Sequence, residues 1–188
     1  MRDGTDAEDL RRAATGDEAA AIRLYRNHAR RVFSLAYHML GQAEMAEDVV
    51  QDAYLKLWKH GARLAEDGVQ VRAWLMRVAS NRCIDLKRKR REVLIDRIPE
   101  QPAPSAGPAR QLAERQAADI VAEAVAALPE RQRLAVILTN QSGLSNAEAG
   151  KVLDISEQAL ESLLARARRR LRKHLEPLRG ELLGEGRE

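Results

Sequence analysis

Apolar residues recur along this chain every three or four positions, and no segment alternates apolar and polar with period two. That spacing is what an α-helix needs to bury one face, so an all-α fold is expected throughout. The first half resolves into four helices. A short one over Asp6–Ala14 ends at Thr15-Gly16. A long one over Asp17–Leu40 carries Ile22, Tyr25, Val32, Leu35, Ala36 and Met39 near helical spacing and stops at Gly41. A third spans Ala43–Lys59, with Val49, Val50, Ala53, Tyr54, Leu57 and Trp58 as its stripe, and stops at His60-Gly61. A loop over Arg63–Gln70 leads to a fourth, Val71–Arg91, whose buried stripe is Val71, Trp74, Leu75, Val78, Ala79 and Leu86.

The pattern is interrupted once, by Gln101-Pro-Ala-Pro-Ser-Ala-Gly-Pro108. Its prolines lack a backbone N–H and its other residues have little to bury, so a flexible, solvated linker is expected there. Two small helical domains follow from this division: residues 1–95 and 112–180, joined by a linker over 96–111 and followed by a tail over 181–188. In the second domain Leu112–Leu128 is helical, Pro129 starts a helix over Glu130–Asn140, and Gln141-Ser142-Gly143 turns the chain. From Leu144 to Leu175 comes a short helix, a break and a longer helix. Ser145 and Glu148 have capping-box spacing. Asp154-Ile155-Ser156 breaks the pattern, and Ser156 can cap the next helix. Ala147, Ala149 and Leu153 can pack on Leu160, Leu163 and Leu164. This is the outline of a helix-turn-helix, whose second helix enters the DNA major groove.

Composition narrows the function classes. Hydrophobic residues are 45% of the chain, enough for a packed core, yet no apolar run approaches a membrane-spanning length. The charged N-terminus lacks the apolar centre of a signal peptide, so a reducing cytoplasm is expected. The single cysteine, Cys83, excludes an internal disulfide and packs most simply as a small hydrophobe. His28, His38, His60 and His174 are scattered without ligand spacing, so neither a metal nor another cofactor is expected. No catalytic constellation accompanies them; an enzyme acting on a small-molecule substrate is not expected.

The net charge of +4 is unevenly spread. Positive charge collects at Lys87–Arg91 and Arg166–Lys173. Either patch alone is also what an ordinary helix C-terminus carries. Two on one chain, one beside a helix-turn-helix, point to two contacts with one polyanion. Glu44, Glu47, Asp48, Gln51 and Asp52 gather on one side of the third helix. The helix dipole accounts for Glu44 and Glu47 near the N-terminus, less well for Asp48 and Asp52, which suit a docking face for a basic partner. In the fourth helix Arg77, Asn81, Ile84 and Arg88 share a face. Asn81 is either a surface polar residue or a donor and acceptor for a base edge, with arginines on phosphates. All six aromatics, Tyr25 to Trp74, lie in the first domain, so only that domain can stack unpaired bases.

Taken together, AEDVVQDAYLKLW, RAWLMRVASNRCIDLKRKRR, LPERQRLAVIL and GLSNAEAGKVLDISEQALESLLARARRRL, in that order, resemble a bacterial sigma factor of the extracytoplasmic-function type, in the sigma-70 family. The resemblance implies a specificity subunit that brings core RNA polymerase to promoters and starts transcription. Glu47, Asp48, Gln51 and Asp52 would bind polymerase, chiefly a basic coiled coil of the largest subunit, with the second-largest subunit also a partner. Arg77, Asn81, Lys87, Arg88, Arg90 and Arg91 would contact the minus-ten element, and the loop over Arg63–Gln70 would help cradle a flipped base. Ser156, Gln158, Ser162, Arg166 and Arg169 would read the minus-thirty-five element as duplex. The linker would thread toward the RNA exit path. An anti-sigma partner, often membrane-tethered, is expected, which would hold this cytoplasmic protein at the inner membrane. One departure stands out: Leu160-Glu161-Ser162-Leu163 occupies the place where many members carry a basic V-K-S-R arrangement. Glu161 there suits a cytosine amino group and repels phosphate. The rival readings are a sigma-mimicking regulator that never contacts DNA and a one-site transcription factor using only the second domain.

Overall fold

The computed structural model describes residues 3–93 and 120–178, and every regular element among them is helical. The linker over 96–111, the tail over 181–188 and the start of the helix expected at Leu112 lie outside the described residues. In order, the elements are α1 (Asp3–Ala14), α2 (Glu18–Leu40), α3 (Ala43–Glu66), α4 (Val71–Val93), α5 (residues 120–126), α6 (Glu130–Val136), α7 (Asn146–Leu153) and α8 (Glu157–Leu175). A π-turn over Ile137–Gln141 extends α6, and a 3₁₀ turn over Glu176–Leu178 follows α8. No helix among the described residues is long and apolar enough to cross a membrane.

Helices α1 to α4 form one bundle. The Asp17 carboxylate accepts from the Ala20 N–H at 3.0 Å and so caps α2. At the other end Gly41 sits at φ 75° and its N–H closes on the Tyr37 carbonyl. The buried line of α2 is Leu24, His28, Val32, Leu35 and Met39, spaced by three and four. Ile22 and Tyr25, expected on that stripe, are each 49% exposed. They flank the line, and the place on it between Leu24 and Val32 belongs to His28. Burying that imidazole is tolerable because Nε2 meets the Asp6 carboxylate of α1 at 2.7 Å. Asp9 and Arg23 add a forked pair with a shortest distance of 2.6 Å, and Leu10 is sealed beneath it. These contacts fix α1 across α2 and α3.

The stop expected at His60-Gly61 is absent: α3 runs on through Glu66, so the first half of the expected loop Arg63–Gln70 is helix. Gly61 is buried where α1 crosses, and a Cβ there would lie 3.6 Å from Leu10 Cδ1. The glycine serves close packing of two helices, whose burial outweighs its helix cost of about 1 kcal/mol.

The second unit follows its local signals. Ser145 and Glu148 form the full capping box, with the Ser145 N–H donating to Glu148 Oε2 at 2.7 Å and the Glu148 N–H donating to Ser145 Oγ at 3.2 Å. Asp154 ends α7 at φ 54°, and the Ser156 hydroxyl accepts from the Ala159 N–H to start α8. Leu160, Leu164 and Ala167 are the buried line of α8. This unit also packs on the first: α4 lies against α7, and α2 against the π-turn and α6. The buried apolar residues of both form one continuous cluster.

Candidate polymerase and nucleic-acid interfaces

A groove of about 750 Å³ opens between α2 and α3. Its floor is aromatic and apolar, from Tyr25, Phe33, Tyr54, Leu55 and Trp58, and Glu47, Asp48 and Gln51 stand at its rim. The ring of Tyr25 packs on Tyr54 at 4.9 Å, and Trp58 follows at 5.7 Å. The Tyr54 hydroxyl donates to the Leu24 carbonyl at 3.2 Å, which anchors the floor; burial raises its pKa, so it stays a neutral donor. Leu55 is 60% exposed, unusual for leucine, and together with Tyr25 and Trp58 makes an apolar patch bordered by acids. Glu47, Asp48 and Gln51 thus come together as expected. Asp52 does not line the groove. It is half-buried against Lys56 at 3.0 Å and Arg82 of α4 at 3.6 Å.

The face of α4 is only partly as the hydrophobic pattern implied. Val71, Leu75 and Ala79 are buried, whereas Trp74, Val78 and Leu86 are only half-buried. Met76, Ser80 and Cys83 are sealed instead, because the second unit covers a flank that the pattern leaves open. Arg77 and Asn81 are exposed, as are Arg88 and Arg90; Lys87 is half-buried, and the Arg91 side chain lies outside the described residues. Burial, with the positive charge of Arg133 adding to it, lowers the Lys87 pKa. Cys83 packs as a small hydrophobe, its thiol pushed up to about 12 by burial.

On α8, Gln158, Ser162, Arg166 and Arg169 are all exposed and spaced by four, four and three, which places them on one stripe. Arg166 Nε donates to the Ser162 carbonyl at 3.2 Å. Ser156 is exposed but its hydroxyl is engaged in capping. Glu161 is exposed beside the stripe. Among the described residues no group of His, Cys, Asp and Glu could hold a metal ion.

Residues 24–93 match the family model for sigma-70 region 2, and residues 118–171 that for sigma-70 region 4. The extracytoplasmic-function sigma factor SigE of Mycolicibacterium smegmatis is 33% identical over 170 residues, covering 86% of this chain, which spans 65% of that relative's length. SigM of Mycobacterium tuberculosis is 33% identical over 172 residues, with 91% of this chain and 85% of the relative covered. Among solved structures, CnrH, determined in complex with the cytosolic domain of CnrY, superposes with a TM-score of 0.70 at 28% identity, over 92% of this chain and 98% of the other. RpoE of Bartonella quintana, solved with the anti-sigma factor NepR, gives 0.61 at 27% identity, over 79% and 91%. Two family regions in their expected order, and relatives matched across nearly the whole chain, establish that this protein belongs to the extracytoplasmic-function sigma factors of the sigma-70 family.

Proposed function

We propose that this chain is a promoter-specificity subunit of bacterial RNA polymerase, with the residues named above dividing the work. The observation that carries the polymerase contact is the groove between α2 and α3. An apolar floor with Glu47 and Asp48 at its rim suits a helical partner that presents apolar residues flanked by Lys or Arg. A basic coiled coil of the polymerase has that chemistry. So has an amphipathic segment of an anti-sigma protein; RpoE was solved with the anti-sigma factor NepR bound, and CnrH with the cytosolic domain of CnrY.

Arg77, Asn81, Arg88 and Arg90 on α4, with Lys87 and Arg91, would hold one opened strand, the asparagine at a base and the cations at phosphates. Gln158, Ser162, Arg166 and Arg169 would meet duplex in a major groove, with the Ser156 end of α8 leading. The energy for opening comes from base capture and phosphate contacts, since no glycine-rich nucleotide loop is present in the sequence. This reading gives the chain no catalytic step of its own.

The test is transcription reconstituted from core polymerase, the purified chain and candidate promoters. A promoter-dependent transcript is expected, together with core binding that Asp48→Arg removes. No transcript from any promoter, with core binding also missing, would sink the reading.

A further inference from the structure

Ser80 of α4 is 1% exposed, yet its Oγ makes no hydrogen bond among the described residues. A buried serine within a helix ordinarily returns its hydroxyl to the carbonyl one turn back, and a hydroxyl left unpaired is costly. Ser80 instead lines a cavity of about 230 Å³ where α4 meets α6 and the turn before α8. Beside it the floor is apolar and buried, from Leu134, Val152 and Leu153. The rim is polar and exposed: Arg77 and Asn81 of α4, Arg131 of α6, and Asp154. Arg131 Nη2 donates to the Leu153 carbonyl at 3.3 Å, which ties α6 to the turn and leaves its other nitrogens for a ligand. About two turns nearer the start of α4, Arg72 reaches Glu148 of α7 at 3.3 Å, so the walls are held together without help from a ligand. The side chains of Arg77, Asn81 and Asp154 have no hydrogen bond or ion pair among the described residues.

We propose that this cavity is a binding site for a small zwitterion with an apolar side chain, of which an aliphatic α-amino acid is the simplest. The rim presents two guanidinium groups and one carboxylate. A purely anionic ligand such as phosphate would meet Asp154 as well as the arginines. A lone ammonium would meet two cations. A neutral apolar molecule would leave all three charges and the Ser80 hydroxyl without partners. A zwitterion sets its carboxylate on Arg77 and Arg131 and its ammonium on Asp154. Its side chain then covers Leu134, Val152 and Leu153, and Ser80 gains a polar partner at the floor. The volume equals that of about eight waters, or of one molecule of about ten non-hydrogen atoms. An amino acid the size of leucine fits; a nucleotide is too large.

Asp154 supports the assignment in a second way. It stands at φ 54°, a left-handed position that glycine or asparagine would fill as well. Aspartate adds a charge for which the turn itself has no use. The site goes beyond the promoter reading and meets it at one point, where it rests on that reading. Arg77 and Asn81 are also minus-ten contacts, so a bound zwitterion and an opened strand compete for the same two side chains.

The test titrates the full chain calorimetrically with leucine, with 4-methylpentanoate and isopentylamine, which keep its side chain and each drop one charge, and with inorganic phosphate. Leucine should bind at one site and, at ten times its dissociation constant, raise the thermal midpoint by about 4 °C. Each truncated analogue, and phosphate, should bind about tenfold more weakly or worse. Asp154→Asn keeps a residue that tolerates the left-handed turn; it should weaken leucine about tenfold and leave 4-methylpentanoate no weaker. Ser80→Ala should weaken leucine while leaving the midpoint of the unliganded chain unchanged or higher, since it removes an unpaired hydroxyl. An analogue that matches leucine, or binding of phosphate alone, overturns the zwitterion. Neither heat nor a shifted midpoint from any of the four overturns the site, and leucine binding indifferent to both variants does so too. None of these measurements uses promoter or polymerase, so they stand apart from the sigma reading. Forked promoter DNA tests the competition: leucine at ten times its dissociation constant should weaken DNA binding about tenfold. Unchanged DNA affinity with leucine bound overturns the competition, whereas an unliganded chain that binds neither DNA nor core overturns the sigma reading instead.

Discussion

Asp52 of α3 and Arg82 of α4 face each other at 3.6 Å, so one of the acids expected to greet polymerase is committed to holding its own bundle. Arg82 Nε is buried and has no hydrogen-bond acceptor among the described residues, so the nearby carboxylate is its electrostatic compensation. Asp48 is exposed on the groove rim instead. Charge reversal should therefore separate the two residues. Asp48→Arg is expected to abolish core binding while changing stability by less than about 0.5 kcal/mol. Asp52→Arg should weaken binding and also cost about 1–2 kcal/mol, by leaving Arg82 beside another cation. Denaturant midpoints and a core pull-down, run on both variants, read the difference.

The turn of the helix-turn-helix leaves no room for a side chain at Gly150. A Cβ there would sit 3.0 Å from the Ile155 carbonyl oxygen, a backbone atom that cannot swing aside. Gly150→Ala should destabilise the fold by about 1–3 kcal/mol despite alanine's better helix propensity. A thermal midpoint equal to or above the parent's would contradict this.

Acid should loosen the first bundle through His28. Burial lowers its pKa, with Asp6 only partly offsetting, and burial acts the same way on His38. Both histidines bind protons more readily when unfolded, at the ordinary value of 6.5. Their contribution is thus complete above that value and is lost as pH falls below it toward the folded pKa. His28→Gln keeps a donor for Asp6 and cannot titrate. Its unfolding midpoint should fall less steeply than the parent's between about pH 7 and pH 5. Parallel curves would show that His28 carries none of the slope.

Cys83 should be nearly inert in the folded chain. With its thiol pushed up to about 12, only on the order of one molecule in ten thousand is thiolate at pH 8, and the sulfur is buried. Labelling by a thiol-specific reagent should proceed at the rate of opening or unfolding and accelerate sharply in denaturant. Immediate labelling of the native chain would refute the placement.

Promoter binding should fall steeply with salt. Each phosphate neutralised by α4 or α8 contributes a log–log slope near −0.9, so Arg166→Ala or Arg169→Ala should each reduce the slope by about one if it contacts phosphate. A variant that changes promoter preference at constant slope would instead place its arginine at a base edge.

Local signals were legible in the sequence. The capping box of Ser145 and Glu148, the Ser156 cap and the Gly41 stop each depend on residues a few positions apart, and each stands where the spacing put it. What escaped depends on distant partners. Gly61 reads as a helix end until Leu10 and Ala14 come against it. His28 is missing from the stripe that the spacing of α2 suggests, because what lets it be buried is Asp6, approaching from α1. The burial of Met76 and Ser80 is set by a second unit beyond the linker, which no periodicity within α4 could announce. The aromatic groove is half legible: its acids stand out in the sequence, whereas Tyr25 and Trp58 fall near core spacing and read as core.

Lys87 ties two properties of the chain to one ammonium group. Added positive charge on this flank of α4 should tighten the hold on nucleic acid and, through Arg133, weaken the packing of the second unit on α4. Natural variation that strengthens such a factor here should therefore also cost it fold stability, and a sturdier factor should grip DNA less tightly unless the attraction between Arg72 and Glu148 grows in step.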